Sequence, residues 1–138
     1  MKLSDYGAVY TLWASCKGVG LNNLDDSKDG IARFLQRNPD TCFVAEEHGQ
    51  LVGAILAGSD GRRGYIYHTA VHPQYRRQGI AAKLVERTLC ALRQIGIHKA
   101  SLVVFADNEA GNRFWQAVGF SPRTDLIYRD LPFAEMKR

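Results

Sequence analysis

The sequence has no long apolar run. Nothing in it approaches the roughly 18 consecutive apolar residues of a membrane helix, so no membrane partner is expected. Its start, MKLSDYGAVYTLW, carries charged and polar residues where a signal peptide would need an unbroken apolar stretch. A cytoplasmic location is the resulting expectation. Cysteine is scarce: three residues, Cys16, Cys42 and Cys90, far apart and each in an apolar context. No C-x-x-C pair or Cys/His cluster has metal-ligand spacing, so no metal is expected and the thiols read as buried and structural. Two phosphate-binding signatures are also missing. Without G-x-x-x-x-G-K-[ST] there is no P-loop, and without G-x-G-x-x-G between a strand and a helix there is no Rossmann dinucleotide site.

What remains is ordinary in bulk. With 138 residues, 46% hydrophobic and 23% charged, the chain reads as a single globular domain spanning residues 1–138. A net charge of +4 favours anionic partners, and nucleic acid and an anionic cofactor explain it equally well. A nucleic-acid module would present a basic face interleaved with aromatics. The basic residues are instead scattered, with pairs only at Arg62-Arg63, Arg76-Arg77 and Lys137-Arg138. No nucleic-acid partner is expected.

Periodicity gives the element order. Val9, Leu12 and Trp13 recur at helical spacing, predicting a helix over about residues 5–16. The polar stretch KGVGLNNLDDSKDG is a loop, with Ser27 or Asp29 able to cap a second helix. That short helix carries Ile31, Phe34 and Leu35 and ends at Asn38-Pro39. TCFVAEEHGQLVGAILAGS is two apolar runs about His48-Gly49-Gln50, an antiparallel hairpin, and YIYHTAV continues it as a third strand. Ile80, Leu84, Thr88, Leu92 and Ile95 trace one helix face closed by Gly96. KASLVVFA reads as a strand buried on both faces. Asp107 or Asn108 can cap a helix running through Phe114 and Val118, and TDLIYRDL is a final strand candidate. The expected fold is α+β in α/β/α layers, a mixed, mostly antiparallel sheet with a central parallel strand–helix–strand crossover.

The loop VHPQYRRQGIAA, between the third strand and the long helix, is the place for chemistry. A helix start leaves backbone N–H groups without partners and carries the positive end of the helix dipole, a ready anion site. Gly79 keeps those amides approachable, and Arg76 and Arg77 add donors suited to phosphate. Any one basic turn is more often only solvated. Here the segment Arg76-Arg77-Gln78-Gly79-Ile80-Ala81 resembles the R/Q-x-x-G-x-G/A signature of the GNAT superfamily of acyl-CoA N-acyltransferases. The preceding AVHPQY is typical of the residues that introduce that signature. Asn108-Glu109-Ala110-Gly111-Asn112-Arg113-Phe114-Trp115, ending at Gly119-Phe120, resembles the family's N-x-x-A-x-x-F-Y-x-x-x-G-F segment. The similarity runs from about Thr41 to Phe120, on elements of the matching order.

The resemblance implies an N-acetyltransferase with acetyl-CoA as donor. The reaction expected on that basis is direct transfer to a primary amine of a small molecule or of a protein or peptide N-terminus. The resemblance also implies that the backbone of Ala70 and Val71 bonds the pantetheine arm and that the amides of Arg77, Gln78, Gly79, Ile80, Ala81 and Ala82 hold the pyrophosphate, with the side chains of Arg76 and Arg77 as helpers. Asn108 is implied near the pantetheine or the leaving sulfur, and the Val71 N–H becomes the oxyanion donor. The position of the family's acidic tyrosine is held by Trp115, whose indole N–H donates a hydrogen bond but delivers no proton. Tyr128, Tyr65 and Tyr67 are the candidate replacements, and a thiol of pKa ~8.5 also leaves with little help. For the base, His68 is the candidate, because a free imidazole's pKa of ~6.5 suits proton work near neutrality. Strand alternation would place it on the face opposite Tyr67 and Thr69. Glu46 or Glu47, acting through a water, is the alternative, and His72 before Pro73 reads as structural. A homodimer is compatible with all of this. An acyl-CoA-binding sensor that has lost catalysis is a second reading, prompted by Trp115. Only Met1 to Ser4 remain for the strand that normally opens the family fold, so that strand is expected to be short or absent.

Overall fold

The computed structural model describes residues 1–138. Leu3–Asp5 form one 3-10 turn in place of an opening strand, and the Met1 ammonium reaches the Cys42 carbonyl at 2.8 Å. Helix α1 (Tyr6–Ala14) buries Val9, Leu12 and Trp13. Helix α2 (Lys28–Arg37) starts where the Ser27 hydroxyl accepts the Gly30 N–H at 3.0 Å, satisfying one otherwise unpaired amide. It buries Ile31 and Leu35 and stops at Asn38, before Pro39.

Strands β1 (Phe43–Glu47), β2 (Gln50–Ser59) and β3 (Gly64–Val71) form the antiparallel meander. Helix α3 (Ile80–Gln94) then crosses over to β4 (Ala100–Ser101), which pairs parallel to β3, giving the order β1-β2-β3-β4. Helix α4 (Glu109–Ala117) comes last. On one face Ala54, Leu56 and Ala70 pack with α1 and α2 around Trp13, Ile31 and Leu35. On the other Ile55, Ile66 and Val71 pack with Leu84 and Val85 of α3, flanked by Phe114 and Trp115 of α4. Burying each such large apolar side chain stabilises the fold by roughly 1.5–3 kcal/mol. The expected α/β/α layering is therefore present, with α1 and α2 opposite α3.

Three expectations change. KASLVVFA forms a ladder only over Ala100 and Ser101, and Val103 and Phe105 are 61% and 47% exposed rather than buried on both faces. The reason is that residues 102–105 peel away from β3 and line a cleft. TDLIYRDL is not a strand: Leu126, Ile127 and Tyr128 are exposed, and no edge with a sustained ladder lies beside them. The parallel crossover thus closes the sheet at its edge. Cys90, expected in the interior, lies on the exposed side of α3, while Cys16 and Cys42 are buried.

One irregularity matters more than these. Ile55 faces Thr69 and Ala57 faces Ile66, so the single residue Leu56 stands against both Tyr67 and His68. A bulge of this kind bends the strand and breaks the alternation of its side chains.

Candidate active site

A cleft of about 1950 Å³ opens where β4 parts from β3. That exceeds the roughly 300–1,000 Å³ of a typical small-molecule pocket and leaves room for a donor and an acceptor together. Its walls come from the α1–α2 loop, α2, the length of β3, the α3 entry loop, residues 102–105 and the start of α4.

At one end lies the anion cradle. Gly79 is the N-cap of α3 in the left-handed conformation (φ 77°, ψ 10°), and Arg77 also has positive φ, 64°. The first helical bond is Lys83 N–H to the Gly79 carbonyl, and no backbone N–H from Arg77 to Ala82 has a partner in the chain. Successive amides turned inward by left-handed residues at a helix start make a concave anion site. A Cβ built on Gly79 would meet nothing within 4 Å, so that face of the turn is open. These groups fit a pyrophosphate. The two arginines divide. Arg77 stays free at the surface, whereas the Arg76 guanidinium bonds the Val71 carbonyl (3.2 Å) and lies 3.7 Å from the Cys16 sulfur. Arg76 thus ties its loop to β3 instead of reaching toward the cradle.

The backbone of β3 lines the middle of the cleft. His72 N–H bonds the Val52 carbonyl at 2.7 Å, in register with Ala70 opposite Ala54. In an antiparallel ladder the residues between such pairs turn their N–H and C=O outward. Thr69 and the Val71 N–H therefore face away from β2 toward the cleft, the Val71 carbonyl being taken by Arg76, while the backbone groups of Ala70 are spent on β2. Of the expected pair, Val71 thus has its N–H free for a sheet-like contact and Ala70 does not. Asn108 lies in the cleft wall, but its side-chain oxygen caps α4 by accepting the Gly111 N–H at 3.0 Å. Trp115 is wedged edge-on between Phe114 and Phe120, with centroids 5.0 and 5.3 Å away.

At the far end the bulge decides the geometry. Alternation would have parted His68 from Tyr67. Instead both point to the α1–α2 side, Tyr67 edge-on to Phe34 and His68 edge-on to Trp13. His68 Nε2 lies 2.7 Å from Asp26 Oδ1, and the Asp26 side chain is 3% exposed. Asp26 is the residue that sequence reasoning missed. It sits in an irregular loop 42 residues from its partner, and only the acidic pair before the Ser27 cap hinted at it. Tyr65 and Tyr67 stand with ring centroids 4.7 Å apart. Burial first, then neighbouring Tyr128 and Tyr67, raises the Tyr65 phenol above its ordinary pKa; burial, then Asp25 and Tyr128, raises that of Tyr67. Both hydroxyls therefore stay protonated at neutral pH. Tyr128 also lines this end, from an exposed C-terminal segment. Glu46 is exposed beside the β1–β2 turn and, with Glu47, lines no part of the cleft. His72 is structural: its Nδ1 accepts the Gln74 N–H at 3.2 Å. No group of three or more His, Cys, Asp or Glu could hold a metal ion, and no helix is long and apolar enough to cross a membrane.

A mixed sheet whose parallel pair splays beside an amide-lined helix start is the arrangement that the sequence resemblance implies for an acyl-group transferase. The model of the acetyltransferase (GNAT) family matches residues 7–120, and the chain belongs to that family. An acetyltransferase of Sodalis glossinidius is 42% identical over 123 residues, covering 89% of this chain and 85% of the relative. Among solved structures, Ard1 of Thermoplasma volcanium superposes with a TM-score of 0.77 at 22% identity, covering 88% of this chain and 79% of that one. A Clostridium acetobutylicum protein described as a predicted acetyltransferase, solved with acetyl-CoA, has a TM-score of 0.73 at 19% identity, with 94% and 92% covered.

Proposed function

We propose that this chain is an acetyl-CoA-dependent N-acetyltransferase. The acetyl group passes directly to the primary amine of a small molecule or of a protein or peptide N-terminus. The observation that carries this reading is the continuous row of unpartnered amides from Arg77 to Ala82, in one cleft with the outward backbone of Thr69 and Val71. Bound there, acetyl-CoA would supply an activated thioester.

The chain's own groups meet the three demands of acyl transfer. The Val71 N–H, unpaired on the cleft side, is placed to donate to an oxygen that gains negative charge. His68 takes a proton from the incoming ammonium, frees the nitrogen lone pair, and passes that proton to water. The second proton leaves the nitrogen as the amide forms and ends on the departing sulfur. Tyr65 and Tyr67, held protonated, and Tyr128 are the hydroxyl donors at that end of the cleft. The acceptor enters past Phe34, Tyr67 and Asp25, an aromatic wall with an acidic neighbour that suits a cationic amine.

Calorimetry with acetyl-CoA and a thiol-release assay over a panel of amines and peptides test the reading. Micromolar binding with acceptor-dependent thiol release is expected, and absence of binding overturns it. Binding with no turnover on any amine would instead favour a non-catalytic sensor, the reading prompted by Trp115 at the position of the family's acidic tyrosine.

A further inference from the structure

We infer that Asp26 is a positioning residue for His68, the two forming a dyad that sets the protonation state of the base. This rests on the acetyltransferase reading above. Asp26 is held on three sides. Its Oδ2 accepts the Asn22 N–H at 2.8 Å, and Oδ1 faces His68 Nε2 at 2.7 Å. Its backbone carbonyl accepts the Tyr6 hydroxyl at 2.7 Å. Asn22 in turn accepts the N–H groups of Leu24 and Asp25, so the loop is fixed from within.

No Lys or Arg pairs with Asp26; its one cationic partner is His68. A buried carboxylate without a compensating charge is costly, and a neutral amide would tie the loop to β3 as well. The charge serves the imidazolium. With Nε2–H donated to Asp26, Nδ1 is the uncommitted nitrogen, and it has no hydrogen-bond partner in the chain. The tautomer is thereby fixed with its lone pair on Nδ1, while Trp13 packs against the ring edge-on. When Nδ1 takes the proton of the ammonium, the positive charge forms 2.7 Å from a carboxylate already in place. The groups facing the ring are Trp13 from α1, Asp26 from the loop and the neighbouring Tyr67 on β3, with Asp25 beyond Tyr67.

The test combines Asp26→Asn, His68→Gln and the double variant in the full chain. Calorimetry with acetyl-CoA comes first, and all three should bind it as the parent does, since none touches the cradle. Asp26→Asn is expected to lower kcat by about 100-fold, within the range of general-base contributions, with the KM for acetyl-CoA unchanged. The acid limb of its kcat/KM profile should move to lower pH, because loss of the anion disfavours the imidazolium. In the His68→Gln background the same change should cost nothing more. Nitrogen-15 spectra of the His68 ring should show Nε2–H in the parent and a mixed tautomer in Asp26→Asn, whatever the acceptor. Equal losses from Asp26→Asn in both backgrounds, or an unchanged ring spectrum, would overturn the dyad. Failure of the parent to bind acetyl-CoA would overturn the acetyltransferase reading instead, and the ring spectrum would still judge the pairing.

Discussion

Replacing Gly79 with glutamate should sharply weaken acetyl-CoA binding and leave the fold standing, and two separable costs explain why. Gly79 adopts φ 77° and ψ 10°, a left-handed conformation that costs a residue bearing Cβ ~1–2 kcal/mol. Since a Cβ there meets nothing within 4 Å, no clash is added. For a chain of this size that strain lowers Tm by roughly 3–10 °C. The second cost is electrostatic. A carboxylate ~5 Å from each of two phosphate charges, at an effective dielectric between 80 and 20, adds ~1.7–6.6 kcal/mol of repulsion. Binding therefore weakens by at least about 10-fold and in the upper range becomes undetectable. Gly79→Ala carries the strain without the charge, so the difference between the two variants isolates the repulsion. Scanning calorimetry should show similar Tm values for both, and titration calorimetry a much weaker Kd for glutamate, the gap closing as salt screens the pair. A glutamate variant that binds as the glycine parent does would show that the phosphates lie elsewhere.

Other contacts give three further expected outcomes. A Cβ on Gly30 would lie 2.3 Å from the Asp25 carbonyl and 2.5 Å from that of Leu24, so Gly30→Ala must push back the turn that holds Asp26. It should cost on the order of 3 kcal/mol in denaturant unfolding and lower kcat more than acetyl-CoA affinity; intact turnover would free that turn from any part in the chemistry. Tyr65 and Tyr67 have raised phenol pKa values, so they stabilise the fold below the ordinary tyrosine pKa of ~10 and lose that contribution as pH rises through the folded value. Ultraviolet titration should show a late-ionising component that shrinks in Tyr67→Phe, and an unchanged curve would contradict the burial argument. Arg76 is bonded to the Val71 carbonyl while Arg77 is free. Arg77→Ala should therefore flatten the salt dependence of acetyl-CoA binding, and Arg76→Ala should weaken binding with the slope retained.

The sequence carried the cofactor end of this molecule better than the acceptor end, and the difference is physical. A helix start that offers bare amides is local. Arg76 through Ala82 lie within seven consecutive positions, and their left-handed turn is written in the residues that form it. The meander, the crossover helix α3 and the final helix α4 were legible for the same reason, since periodicity acts over one element at a time. KASLVVFA misled because an apolar run that lines a cleft has the same composition as one buried between two layers. TDLIYRDL misled because strand propensity is realised only where another edge stays close enough to pair.

The acceptor end depends on one feature with no local signature. A bulge inserts a single residue into β3 opposite Leu56, and nothing in YIYHTAV distinguishes the bulged strand from a regular one. Its consequence reaches across the chain. Counted from Ile66, regular alternation would turn His68 to the α3 side, where Ile66 and Val71 pack with Leu84 and Val85. The extra residue keeps His68 on the side of Tyr67, Trp13 and the α1–α2 loop. Only there can it meet Asp26. Side-chain chemistry therefore nominates His68 but not its partner, because the pairing is a property of strand register. The two halves of the site also differ in how freely they can vary. The cradle is backbone and tolerates most side chains that keep the turn. The acceptor end requires a bulge, a buried carboxylate and a glycine at position 30 together, so losing any one should cost turnover before it costs donor binding.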